Sequence, residues 1–229
     1  MPRSSSLREV RNQAAQRLVM DAAFQLMVER GYAAMTMSAI ADHAGVAERT
    51  VYNLFGSKTG LMLATIRDRA MGGASKSLIA DHQHMRGLED PIEIIRFAVD
   101  TNHRVASRTI SLFEVAYQAA GVEPEVARAL TEQEEVRFRH QGEVVDVLKE
   151  KGFLRSDIPY ELLKRGFWLV LGPETLIKAM NAGWDLDTYS SWLKVSLPGL
   201  ILDKLAKRTT TRSTPPRSRR GSSAGRARV

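Results

Sequence analysis

Apolar residues return every three or four positions along almost the whole chain, and no stretch shows the strict alternation of a half-buried strand. The pattern predicts an all-α fold. A first helix runs from about Arg11 to Arg30 and stops at Gly31. Thr36 caps a second, Ala47 precedes a third, and Ser57 caps a fourth that reaches about Met71. Met71-Gly72-Gly73 and the polar stretch to Asp90 read as a looser, partly helical connection. Asp90-Pro91-Ile92-Glu93 is a helix start, with an acidic N-cap, Pro at the first position and Glu at the third. One helix then carries Ile95, Val99 and Asn102 on a face, and another carries Ile110, Phe113, Tyr117 and Ala120 up to Gly121. Pro124 opens a long helix to about Lys151, closed by Gly152, with Glu135 and Arg139 at a stabilising spacing. Pro159 opens the next helix and Asp185 or Asp187 the last. Pro173 and Pro198 are expected to kink these two.

Residues 36–61 carry a second layer of pattern. Two helices that cross closely need a small residue at the crossing, and Ala41 supplies it. The turn between them needs a residue that tolerates positive φ, and Gly45 follows four positions later. Val51 and Leu54 face inward from the second of these helices, and Ile40, Ala44 and Val46 complete a small core. This helix-turn-helix leaves Glu48, Arg49, Tyr52 and Asn53 outward. Arg can read guanine bidentately, Asn can read adenine, and Glu can accept from cytosine. Hydroxyls such as those of Thr50 and Tyr52 suit phosphates. Lys58 sits in the first turn of a helix, where the macrodipole disfavours a cation. A phosphate at that helix end would offset the mismatch. Ser57-Lys58-Thr59-Gly60 is no Walker loop, because the glycine positions such a loop requires hold Ser57 and Tyr52.

Together with Leu18, Ala22-Ala23, Leu26-Met27 and Gly31-Tyr32, the motif Thr36, Ile40-Ala41, Ala44-Gly45-Val46, Thr50-Val51-Tyr52, Phe55, Ser57-Lys58 and Leu61 resembles the DNA-binding domain of TetR (tetracycline-repressor-type) regulators. Met27, Ala47 and Asn53 depart from the family's commoner Phe, Ser and aromatic or His. The resemblance implies backbone phosphate contacts at Thr36, Tyr52 and Lys58. It implies a homodimer built largely by the last two long helices, about Pro159 to Arg208, with its two recognition helices in successive major grooves of a near-palindromic double-stranded operator. It also implies repression relieved by a small-molecule effector in the larger domain. The alternative is a constitutive or architectural DNA-binding protein without a ligand. The expected divisions are a flexible basic arm at 1–10, the DNA-binding domain at 11–70, a helical ligand-binding and dimerisation domain at 71–208, and a disordered basic tail at 209–229. In the dimer segment the apolar faces of 162–182 and 187–207 exceed what one small domain covers. Leu176 and Val195 are expected on that interface, and Gly166 and Gly172 are expected to permit close helix approach.

Composition narrows the alternatives. The net charge of +7 is uneven: +3 over residues 1–70, −5 over 71–203 and +9 over 204–229. The tail is poor in apolar groups and rich in Arg, so nonspecific phosphate attraction is its expected contribution. The chain has no cysteine, which excludes disulfides and thiolate metal sites and suits a cytoplasmic protein. No apolar run approaches the length of a membrane span, and the N-terminus reads as an amphipathic helix rather than a signal peptide. Ser191-x-x-Lys194 with Lys58-Thr59-Gly60 mimics serine–lysine hydrolase motifs, but in reversed order and without the middle motif. No enzyme and no cofactor is expected. His82, His84 and His103 lack a carboxylate or thiolate at ligand spacing, so no metal site is expected. Candidate effector-binding residues are Phe97, Asn102, His103, Phe113, Tyr117, Phe138 and Trp168, which otherwise read as core.

Overall fold

The computed structural model describes residues 3–72 and 75–203. These residues form ten α-helices: α1 (Arg3–Ala34), α2 (Met37–Ala44), α3 (Glu48–Phe55), α4 (Lys58–Met71), α5 (Ser75–Gly87), α6 (Pro91–Ala120), α7 (Pro124–Glu150), α8 (Tyr160–Val170), α9 (Pro173–Asn181) and α10 (Leu186–Ile201). The basic tail at 209–229 and the last part of the expected dimer segment lie outside the described residues.

Local chemistry sets most of these boundaries. The regular course of α1 is broken at Gly31 (φ 77°). Thr36 Oγ1 accepts from Ala39 N at 3.1 Å and caps α2, and Gly45 ends α2 in the left-handed region (φ 65°). Ser57 Oγ accepts from Gly60 N at 3.0 Å and caps α4. Asp90 and Asp185 cap α6 and α10 through Ile92 N and Thr188 N. Ala47 offers no side-chain cap to α3.

Three expectations change, while the connection before Asp90, expected to be partly helical, contains α5. The first helix begins at Arg3 rather than Arg11, so most of the expected arm is helical. The two helices expected between Asp90 and Gly121 are one 30-residue helix, α6, because no Pro or Gly interrupts residues 92–120. Pro173 does not kink a helix; it starts a new one at the first position of α9, after Gly172. Pro198 does lie inside α10, one turn before its end. A single antiparallel bridge between Leu154 and Leu202, with Arg155 N donating to Ile201 O at 3.0 Å, ties the loop after α7 to the end of α10.

The interior divides into two apolar clusters. The first joins Val19, Leu26 and Met27 of α1, Ile40, Val51, Leu61 and Met62 to Leu112, Ala116 and Ala119 of α6 and Val126 and Leu130 of α7. The second joins Ile94, Ile95 and Val99 of α6 to Val145 and Leu148 of α7, Phe167 of α8, Leu176 of α9 and Leu193 and Leu197 of α10. Thus α6, about 45 Å long at 1.5 Å per residue, serves both cores. The boundary near residue 70 divides the chain but not the first core.

Candidate nucleic-acid interface and interior cavity

The helix-turn-helix is α2, its turn and α3. Val51 is fully buried, while Glu48, Arg49, Tyr52 and Asn53 are exposed on the opposite face and Thr50 is intermediate. The sequence-predicted outward set is therefore together on one surface. Tyr52 is 48% exposed, so its ring and hydroxyl are open to a partner on this face. Glu48 in the first turn of α3 also complements the helix dipole.

The start of α4 lies beside this face. Gly60 is needed there because a Cβ would fall 2.5 Å from the Phe55 carbonyl oxygen, which explains the glycine without any hydrolase motif. Lys58 does not simply extend into water. Its Nζ lies 4.0 Å from the centre of the Tyr32 ring and 3.4 Å from Ala33 O. This cation–π contact shows how the chain tolerates a cation at a helix N-terminus. Burial lowers the Lys58 pKa, against the nearby Glu123 carboxylate, which raises it. Tyr32 is buried and its hydroxyl pairs with Thr59 Oγ1 at 3.0 Å; burial raises its pKa. Thr36, exposed at the start of α2, uses its oxygen as a cap acceptor and keeps its hydroxyl proton for an outside acceptor.

A cavity of about 350 Å³ lies between α4, α5, α6, α7 and the start of α9. Its apolar wall includes Ile66, Met85, Phe97, Ile110, Phe113 and Leu176. Of the seven expected effector residues, Phe97, Asn102 and Phe113 line it. The other four do not. His103 turns toward α10, with Nδ1 2.9 Å from Ser190 Oγ and Nε2 3.6 Å from Asp187. Tyr117 lies behind the wall and donates to Glu134 Oε1 at 3.2 Å; burial and the Glu134 charge raise its pKa strongly. Phe138 and Trp168 pack edge to face, ring centres 5.9 Å apart, between α7 and α8. Helical periodicity placed His103 and Tyr117 on α6, Phe138 on α7 and Trp168 on α8, but could not fix which side of each helix faces the cavity.

Sequence reasoning missed the polar wall. Arg137 grips Glu134 and donates through Nη1 to Gln141 Oε1 at 2.8 Å and to Trp168 O at 3.0 Å. Gln141 Nε2 reaches Asn102 Oδ1 at 3.3 Å. Gly172 makes room for this arginine, since a Cβ there would meet Arg137 Nη2 at 3.1 Å. That is an internal use of Gly172, whereas the sequence suggested a dimer contact. Gly166 has open space around its Cβ direction. A weak signal was available in Glu134, Arg137 and Gln141, spaced three and four apart on one face of a long helix. The three histidines point apart: His82 Nδ1 lies 2.9 Å from Glu143, and His84 lies tilted against Phe97 with ring centres 4.9 Å apart. Ser191 is exposed on α10, where Lys194 pairs with Asp100 at 2.5 Å. No helix among the described residues is long and apolar enough to cross a membrane.

Residues 19–65 match the family of bacterial regulatory proteins, tetR family. The chain is 31% identical over 115 residues to the HTH-type transcriptional regulator BetI of Rhizobium meliloti, covering 49% of this chain and 55% of that protein. A second curated regulator, YvkB of Bacillus subtilis, is 39% identical over 57 residues, 25% of this chain and 30% of its own length. The chain thus spans at most about half the length of these curated relatives. The fold is that of a transcriptional regulator from Saccharomonospora viridis in complex with choline, with a TM-score of 0.61 and 15% identity over 83% of this chain and 98% of that one. It is also that of FadR from Bacillus subtilis in complex with stearoyl-CoA, with a TM-score of 0.62 and 17% identity over 81% and 98%. The helix-turn-helix domain of this chain, residues 19–65, is that of the TetR family of bacterial regulators.

Proposed function

We propose that this chain is a homodimeric repressor that leaves a near-palindromic operator when a small molecule enters the interior cavity. The observation that carries the reading is α4. It begins beside the recognition helix with Lys58 and lines the cavity about two to three turns later with Ile66, Arg67 and Ala70. A ligand that prefers one position of α4 therefore biases the recognition helix, and operator and ligand must weaken each other equally. That fold neighbours carry choline or stearoyl-CoA supports a ligand role for the larger domain.

In this reading Arg49 and Asn53 contact base edges with Glu48, while Thr36, Thr50, Tyr52 and Lys58 hold phosphates. Dimerisation uses the apolar residues that α8 and α10 leave outside: Leu162, Leu169, Trp192, Val195 and Leu200, with Val195 81% exposed. Leu176 is not part of this face, because it is buried in the cavity wall. Val195→Asp should lower the mass seen by ultracentrifugation and weaken operator binding together.

Footprinting on DNA flanking the protein's own gene tests the function directly. Two protected half-sites about one helical turn apart, roughly 10 base pairs, are expected. Protection of a single asymmetric half-site, or uniform coating, would reject the two-fold repressor in favour of a constitutive DNA-binding protein.

A further inference from the structure

The cavity wall is unevenly neutralised. Glu134 is gripped by Arg137. Glu143 Oε2 lies 2.9 Å from His82 Nδ1, and Arg86 Nε backs that histidine at 3.0 Å from Nε2. Asp81 Oδ2 lies 3.5 Å from Arg104 Nη2. Each of these wall carboxylates thus already has a basic partner. Arg137 is also committed, to Glu134, Gln141 and the Trp168 carbonyl. Arg67 differs. Its Nε and Nη2 lie 3.2 and 2.9 Å from the side-chain amide of Gln133, a neutral group whose oxygen accepts from both once the amide is oriented to satisfy its partners. The Nε–Nη2 edge is one that a carboxylate can take in a two-pronged pair, and an ionised acceptor bonds it more strongly than an amide does.

The surroundings of Arg67 define the rest of the ligand. The guanidinium is at the exposed rim of the cavity, so an anion there keeps part of its hydration. Inward from it the wall turns apolar, with Ile66, Phe97, Ile110 and Phe113. A cationic ligand would have to break one of the existing pairs to reach a carboxylate, leaving a half-buried charge behind.

We propose that the cavity binds a monoanionic amphiphile, a hydrophobic molecule ending in one carboxylate, with the carboxylate on Arg67 and the apolar part against α6. The proposal rests on the reading of this cavity as the effector site. Arg67 belongs to α4 and Gln133 to α7, so their hydrogen bonds fasten the helix that starts at the DNA face to the wall of the larger domain. A carboxylate that takes Arg67 from Gln133 replaces this fastening and changes the preferred position of α4.

The test is calorimetric titration of the full chain with decanoate, decanol and decyltrimethylammonium, each below its aggregation concentration. Decanoate should bind about tenfold tighter than decanol or more, as one charge-assisted pair supplies, and the ammonium should not compete with it. Arg67→Gln should abolish the preference for decanoate and leave decanol unchanged. Gln133→Leu, which removes the competing acceptor without touching the arginine, should tighten decanoate alone. Equal affinities for decanoate and decanol, tighter binding of the ammonium, no binding of any probe, or an unaltered decanoate preference in either variant would overturn the proposal. Footprints taken in parallel separate the two readings. A footprint that persists when decanoate is bound overturns effector control but not the ligand class. A lost decanoate preference with an intact footprint and response to another ligand overturns the ligand class alone.

Discussion

The helix-turn-helix head and the cavity are built on opposite principles, although α4 and α6 belong to both. The head takes most of its core from a short stretch of chain: Ile40, Ala41, Val51 and Leu61 close on one another and on α1. The cavity collects Ile66, Met85, Asn102, Gln141 and Leu176 from five different helices. A core of local contacts fixes its surface residues almost by register. A wall assembled from distant helices is fixed only by how those helices pack, and one helical step decides whether a side chain enters it. The head is thus a surface set by local register, and the chamber one set by how distant helices pack.

The largest effect tests whether the two regions are separable. Leu112→Ala, in the head core but on α6, and Leu193→Ala, in the second core, should each cost about 2–5 kcal/mol. All three tryptophans, Trp168, Trp184 and Trp192, lie in α8, α10 or the segment just before α10. Tryptophan fluorescence therefore reports the larger region, whereas circular dichroism reports the whole. Leu112→Ala should lower both thermal midpoints together. A shift in circular dichroism alone would show that the head melts independently.

Next comes the polar wall. Arg137→Met leaves Glu134 without its cationic partner at 22% side-chain exposure, with only the Tyr117 hydroxyl beside it, which should cost about 3 kcal/mol. Adding Glu134→Gln should restore much of the loss in a thermal melt. If the double variant is no more stable than the single one, the pair is not what holds this wall.

On the reading surface the effects are smaller and divide by chemistry. Arg49→Ala or Asn53→Ala should cost roughly 1–3 kcal/mol and relax preference at one or two base pairs per half-site. Tyr52→Ala and Lys58→Ala should weaken binding to every sequence, and Lys58→Ala should flatten the salt dependence by about one unit of slope. Binding by Lys58→Ala equal to wild type would mean that its contact with Tyr32 is its whole purpose.

The smallest effect is a pH dependence confined to the larger region. Burial raises the Asp146 pKa, but hydrogen bonds from Tyr160 and Lys164 outweigh it and hold the carboxyl below its ordinary value. A depressed carboxyl contributes stability that is present above its unfolded pKa and lost as pH falls through the folded one. Stability should therefore fall between about pH 4 and lower values, more gently in Asp146→Asn. Parallel curves for the two proteins in acid denaturation would remove Asp146 from the account.

The sequence was most legible where structure is local. Gly45, Thr36 and Ser57 announce turn and caps by their own chemistry, and the outward set on α3 follows from Val51 facing in. It was least legible where a decision depends on distant partners. Nothing local distinguishes Asn102, in the wall, from His103, turned toward Ser190. Nor does any local feature announce that Arg67 meets Gln133 on a helix far along the chain. The break between α8 and α9 was half visible: Pro173 announced a disturbance, but not that the residue before it, Gly172, would turn extended and start a new helix rather than a kink.

The double allegiance of α6 bears on how such proteins exchange parts. A head cut from this chain after α4 would lose Leu112, Ala116, Ala119, Val126 and Leu130 and expose the apolar faces they cover. Each large side chain uncovered forfeits roughly 1.5–3 kcal/mol. Recombination at that boundary would join two halves whose surfaces never matched. A workable hybrid has to carry the end of α6 and the start of α7 with the head, so the unit that can be inherited intact is not the unit that reads DNA.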